Sequence, residues 1–110
     1  MTETKIYVGL NDSITKTQLF ETERYISILK KVCYAYHTAF SFDVESGGYF
    51  HENGDFTKEN TLVLTLIDTE KETVNEIAKD LCAFFHQESV MITENPVQTY
   101  FIKDSLSLSD

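Results

Sequence analysis

Residues 47–60 read Gly47-Gly48-Tyr49-Phe50-His51-Glu52-Asn53-Gly54-Asp55-Phe56-Thr57-Lys58-Glu59-Asn60 and hold three of the chain's four glycines. Asn53-Gly54-Asp55 is a hairpin signal, because Asn and Gly tolerate the positive φ that a tight turn between strands requires. Upstream, Phe40, Phe42 and Val44 alternate with Ser41, Asp43 and Glu45, the period of a half-buried strand. Gly47-Gly48 interrupts that strand and predicts a bulge or a close backbone approach. Downstream, a strand from about Thr57 to Ile67 puts Leu62, Leu64 and Leu66 on one face and Val63, Thr65 and Ile67 on the other. Two antiparallel strands therefore sit side by side in the middle of the chain.

On either side the period changes to three and four. Tyr25, Ile28, Leu29, Val32, Cys33 and Tyr36 fall on one face of a helix from roughly Thr22 to His37. Val74, Ile77, Ala78, Leu81, Cys82 and Phe85 repeat that stripe, and Thr69 with Glu72 predicts a capping box in front of it. Lys5 to Leu10 alternates as a first strand, closed by the turn chemistry of Asn11-Asp12-Ser13. Ser89 to Thr93 alternates as a last one; Asn95-Pro96 breaks or bulges it, and Val97 to Ile102 continues along the sheet edge. The order β-α-β-β-α-β predicts an α+β, ferredoxin-like fold: a four-stranded antiparallel sheet with two helices on one face. Residues 1–102 form a single domain on this reading, and 103–110 a flexible tail. The opposite sheet face carries Tyr7, Val63, Thr65, Ile67 and Met91, apolar enough to favour a homodimer or another partner there.

With 110 residues and 42% hydrophobic content the chain can bury one core. No apolar run approaches the roughly 20 residues of a membrane span, and the first residues lack a secretory pattern, so a soluble cytoplasmic protein is expected. The formal charge of −9 argues against direct nucleic-acid or anionic-membrane binding and is compatible with a basic protein partner. Cys33 and Cys82 lie on the apolar stripes and read as reduced core thiols.

Three segments together resemble a family of small bacterial and phage proteins classed as a domain of unknown function: Lys5-Ile6-Tyr7-Val8-Gly9-Leu10-Asn11-Asp12; Gly48-Tyr49-Phe50-His51-Glu52-Asn53-Gly54 with Glu59-Asn60-Thr61-Leu62; and Gln87-Glu88-Ser89-Val90. The resemblance spans roughly Lys5 to Phe101. It implies a compact α+β domain and association with mobile elements, and it carries over no catalytic residue.

The chemistry-bearing residues are Tyr7, Asn11, Tyr49, Phe50, His51, Glu52, Asp55, Glu59, Gln87 and Glu88, taken as candidates for binding a ligand or partner. His51 with Glu52, Asp55 and Glu59 has the ligand types for a divalent cation but no recognised spacing, so no metal and no cofactor is expected. His51 and Glu59 also have the types of a general acid–base pair, but no nucleophile-elbow pattern and no phosphate-cradling loop accompanies them. The leading expectation is a non-enzymatic interaction protein, a phage or mobile-element inhibitor of a host defence protein. Its acidic residues Glu45, Glu52, Asp55, Glu59, Glu70, Glu72, Glu76 and Asp80 would occupy a basic nucleic-acid groove on that partner. The alternatives are a protein that binds or sequesters a nucleotide signal, with Tyr49, His51, Asn11 and Gln87 converging on a pocket, and a small enzyme on a ferredoxin-like dimer.

Overall fold

The structure is a computed structural model that describes residues 1–105; the last five residues of the expected tail lie outside the described residues. The elements are β1 (Thr2–Gly9), α1 (Thr22–Ala35), β2 (Ser41–Phe50), β3 (Phe56–Ile67), α2 (Lys71–Phe84) and β4 (Met91–Pro96). The strands form one sheet in the order β2-β3-β1-β4, antiparallel at every pairing. This is the ferredoxin-like βαββαβ arrangement.

The period of two divides the sheet's faces. Ile6, Val8 and Leu10 share one face with Leu62, Leu64 and Leu66, all 0% exposed. The stripes of both helices close on them, and Tyr25, Leu29, Val32 and Cys33 meet Val74, Ile77, Leu81 and Phe85 in one core. On the other face Val63 is buried, Tyr7 and Thr65 are half-buried, and Ile67 and Met91 are exposed. Burial of Cys33 pushes its thiol up to about 11, so it is not a nucleophile at neutral pH.

Three local expectations change. Strand β2 runs through Gly47-Gly48 without a bulge, in one register from Ser41 opposite Thr65 to Phe50 opposite Phe56. The second glycine serves a close approach instead: a Cβ on Gly48 would collide with the Thr57 carbonyl oxygen and the Phe56 ring. The capping box does not form. Helix α2 starts behind Glu70 with no side-chain cap, and the Thr69 hydroxyl lies 3.3 Å from that of Thr38. Strand β4 ends at Pro96; residues 97–102 make no strand, although the Val97 amide donates to the Met1 carbonyl at 2.9 Å.

Both helices stop on a histidine. His37 and His86 each take φ 53, and each forms the centre of a Schellman motif. The amides of His37 and Thr38 donate to Tyr34 and Cys33; those of His86 and Gln87 donate to Ala83 and Cys82. Replacing His37 by Gly is expected to raise stability by about 1 kcal/mol, since an L side chain in the left-handed region costs roughly 1–2 kcal/mol, part of which the greater freedom of unfolded glycine returns. A lowered denaturation midpoint would contradict this cap.

Candidate functional site

One end of the sheet gathers three connections: the exit of β1, the entry to β4 and the arm of the β2–β3 hairpin. Asn11 ties them together. Its backbone N–H donates to Glu59 Oε2 at 3.1 Å, its side-chain Nδ2 donates to the Lys58 carbonyl at 3.0 Å, and its own carbonyl accepts from Gln87 Nε2 at 2.6 Å. Asn11 and Gln87 therefore hold the three connections in place rather than presenting these donors to a ligand. Asp12 builds the next turn: its Oδ1 accepts the amides of Ile14 and Thr15 at 2.8 and 3.0 Å, and its Oδ2 faces His86 Nδ1 at 3.2 Å.

Two concavities meet over this frame. A polar pocket of about 200 Å³ is lined by Asn11, Asp12, Tyr49, Glu59, Gln87 and Glu88, with Ser13, Lys16 and Ser89 at its edge. A trough of about 380 Å³ on the open sheet face is floored by Tyr7, Gly47, Gly48, Thr61 and Met91 and edged by Glu45 and Ser46. Tyr49 and Glu59 line both. A larger groove of about 450 Å³ lies between the helices, bounded by Ile28, Val32, Ala35 and Phe84. Its carboxylate, Asp80, already accepts a hydrogen bond from the Tyr36 hydroxyl at 2.8 Å. Lys31 is the other polar residue of this mostly apolar groove, which offers a ligand fewer polar groups than the pocket at Glu59.

Of the ten candidate residues, Asn11, Tyr49, Glu59, Gln87 and Glu88 come together in the pocket, and Tyr7 lies in the adjoining trough. Phe50, His51, Glu52 and Asp55 do not line either concavity. Phe50 belongs to the opposite strand face and packs on Phe56 with ring centroids 4.9 Å apart. Residues 51–55 form the hairpin loop, where His51 Nε2 lies 2.6 Å from Thr57 Oγ1 and Asn53 Nδ2 donates to Asp55 Oδ2 at 3.1 Å. Proximity in sequence misplaces these four: successive residues of a strand face opposite ways, which turns Phe50 from the site, and the loop carries His51, Glu52 and Asp55 beyond the strands. The expected convergence of His51 with Tyr49, Asn11 and Gln87 thus lacks His51, whose ring stacks edge-on against Tyr49 at 5.2 Å. Asp12 and Gly9 stand at the site without being among the ten candidates, and Glu45, expected only as part of an acidic surface, stands there with them. Asp12 carried a turn signal, and Glu45 shares the parity of Glu59 across the hairpin.

The acidic residues do not form one surface. Glu45 and Glu59 lie on the open sheet face, Glu52 and Asp55 at the hairpin tip, and Glu70, Glu72, Glu76 and Asp80 on or beside α2, behind the sheet. Among the described residues, no group of three or more His, Cys, Asp or Glu is placed to hold a metal ion. Among the described residues, no helix is long and apolar enough to cross a membrane.

The amides of Thr15 and then Ile14 hold the Asp12 carboxyl below its usual value of 3.8, and His86 adds to the effect. A depressed carboxylate contributes stability that is whole above its unfolded pKa and is lost as the pH falls through its folded one. Asp12→Asn is therefore expected to be less stable than the wild type at neutral pH and to approach it as the pH falls below 3.8 and through the lowered folded value. A gap between the two chains that stays constant down to pH 2 in denaturant titrations would contradict this.

No family model and no curated protein matches the chain, which accords with a resemblance to a family without an assigned reaction. Solved structures do match. A phage S-adenosylmethionine (SAM) lyase in complex with S-methyl-5'-thioadenosine is 25% identical over 86% of this chain and 79% of its own, with a TM-score of 0.64. A phage SAM lyase in the apo state gives 25% identity over 86% of this chain and 78% of that one, also at 0.64. The divalent cation tolerance protein CutA from Archaeoglobus fulgidus is 14% identical over 90% of this chain and 87% of its own, with a TM-score of 0.55, and shows the shared fold alone. The likeness to the lyase overturns the expectation of a non-enzymatic protein: the fold is enzyme-related. That expectation rested on the lack of a nucleophile pattern and of a metal-ligand spacing in the sequence.

Proposed function

We propose that this protein binds S-adenosylmethionine in the pocket at Glu59 and cleaves it without water, releasing S-methyl-5'-thioadenosine. The observation that carries the reading is the set of carboxylates around Tyr49 (Glu59, Glu88, Asp12 and Glu45) on a fold shared at 25% identity with a SAM lyase. The substrate bears a sulfonium, an ammonium and a carboxylate, a net charge of +1. A pocket lined with carboxylates concentrates such a cation, and the chain's −9 charge steers it there. The exposed Tyr49 ring offers its face to the sulfonium or to the adenine. Tyr7 and Met91 give the trough an apolar floor for the nucleoside.

Release of the thioether breaks the bond between sulfur and the four-carbon amino-acid chain, and the bond's electron pair goes to sulfur. The positive charge on sulfur vanishes in that step. Carboxylates beside it therefore bind the substrate more than they stabilise the transition state. The rate gain comes from holding the amino-acid chain in a reactive conformation in a pocket that limits water. Two routes balance. In one, the substrate's own carboxylate oxygen bonds to the carbon that sulfur leaves, and no proton moves. In the other, Glu59 takes a proton from the neighbouring carbon and a carbon–carbon double bond forms. With both hydrogens of that carbon replaced by deuterium, the first product retains two and the second retains one.

Incubation with SAM followed by mass spectrometry tests the proposal: S-methyl-5'-thioadenosine should accumulate. Intact SAM bound one-to-one without turnover would instead support the sequestering alternative. On this reading any interference with a host runs through removal of a metabolite and not through a bound host protein, and the location is cytoplasmic. Self-association through the open face belongs to the reading as well, since Ile67 is exposed on that face and Met91 is exposed at the trough. A monomer alone at micromolar concentration in sedimentation would contradict that part.

A further inference from the structure

We propose that Gly9 is a positioning residue for Glu59: the space left by its missing side chain is the seat of the Glu59 carboxylate. The inference rests on the reading of Glu59 as a group that faces the substrate cation. Gly9 lies within β1, paired with Thr61, and Gly54 is the glycine of this chain with positive φ. Backbone conformation therefore gives no reason for glycine at position 9, and space does. A Cβ there would stand 2.6 Å from Glu59 Oε2, 2.8 Å from Cδ and 2.9 Å from Oε1. All three atoms belong to the end of a flexible side chain and none to backbone. An alanine would thus leave the strands paired and push the carboxylate out of its seat.

The surroundings make this displacement specific. The Leu10 amide bonds the Asn60 carbonyl at 2.9 Å and Asn11 Nδ2 bonds the Lys58 carbonyl at 3.0 Å, so the backbone on both sides of Glu59 is fixed to β1 and its extension. The carboxylate itself is held by the Asn11 amide at 3.1 Å. Moving it by one methyl radius breaks that bond and shifts the charge within the pocket, while the two bonds to the flanking carbonyls persist.

Gly9→Ala, Glu59→Asp and the double variant test the proposal. Gly9→Ala should melt within a few degrees of the wild type. Hydrogen exchange at the Asn11 amide should quicken while that at Leu10 stays slow. Its kcat/KM for SAM cleavage should fall by about 10²-fold, the scale of an ångström-sized misplacement. Because aspartate withdraws the carboxylate from the added methyl, Gly9→Ala should cost less than threefold in the Glu59→Asp background, a coupling that a general weakening of the strand would not give. Wild-type kinetics in Gly9→Ala, or losses that multiply in the double variant, would overturn it. Should no chain, wild type included, release S-methyl-5'-thioadenosine, the functional reading fails separately. Exchange at Asn11 then decides the seating alone, faster exchange upholding it and unchanged exchange overturning it.

Discussion

Replacing Glu59 by Gln is expected to lower kcat/KM for SAM cleavage by about 10²-fold, mostly through a higher KM. The substitution keeps the shape of the side chain, and its amide oxygen can still accept the Asn11 N–H that Oε2 now accepts at 3.1 Å. What it removes is the charge. Two unit charges about 4 Å apart attract by about 4 kcal/mol at an effective dielectric near 20, and the half-buried position of Glu59 reduces this to roughly 2–3 kcal/mol. The sulfonium loses its charge as the bond breaks, so the lost attraction belongs to the bound substrate, and KM should carry most of the change. Steady-state kinetics check this. An unaltered KM with a collapsed kcat would instead make Glu59 a proton acceptor, and unaltered kinetics would remove it from the site.

Ile77→Asp is expected to abolish folding. Ile77 is 0% exposed, at the centre of the core between α2 and the sheet. Losing its burial costs roughly 1.5–3 kcal/mol. A carboxylate in its place is left without a partner in an apolar interior, which adds several kcal/mol more. Domains of this size are stable by only about 5–15 kcal/mol, so the sum is comparable to the whole. Ile28, equally part of a helical stripe in the sequence, is half-buried and borders the groove beside Lys31. An aspartate there reaches water, and Ile28→Asp should cost about 1–3 kcal/mol and still melt cooperatively. Thermal melts by circular dichroism separate the two variants. A cooperative wild-type melt for Ile77→Asp would refute the core described above.

The fold was legible because its signals are local. Leucines at 62, 64 and 66, two helical stripes of matching spacing and one Asn-Gly turn suffice to order six elements and to place β1 at the centre of the sheet. The points that were not legible depend on what another segment does. Thr69 has the chemistry of a cap, but the chain leaves β3 through Asp68 at φ 55 and the helix begins beyond its reach. Gly47-Gly48 has the chemistry of a bulge, but the ring that needs the space at Gly48 is Phe56 on the opposite arm. The same limit governs the pocket. Asn11, Tyr49, Glu59 and Gln87 could be singled out by residue type, and their meeting follows from the strand order. Strand parity alone sends Phe50 to the opposite face from Tyr49 and Glu59, while the hairpin loop carries His51, Glu52 and Asp55 out beyond the pocket. Gly9 gave no signal at all, since its role exists only once β3 lies beside it.

The central claim is that the pocket at Glu59 turns over SAM. It is tested most directly by counting S-methyl-5'-thioadenosine molecules released per chain when substrate is in large excess. The expected result is a product count that climbs linearly well beyond one per chain, in step with loss of SAM, and that, at SAM concentrations below KM though still far above that of the chain, falls by about 10²-fold in Glu59→Gln. A count that stays at the uncatalysed background while SAM remains intact would contradict it.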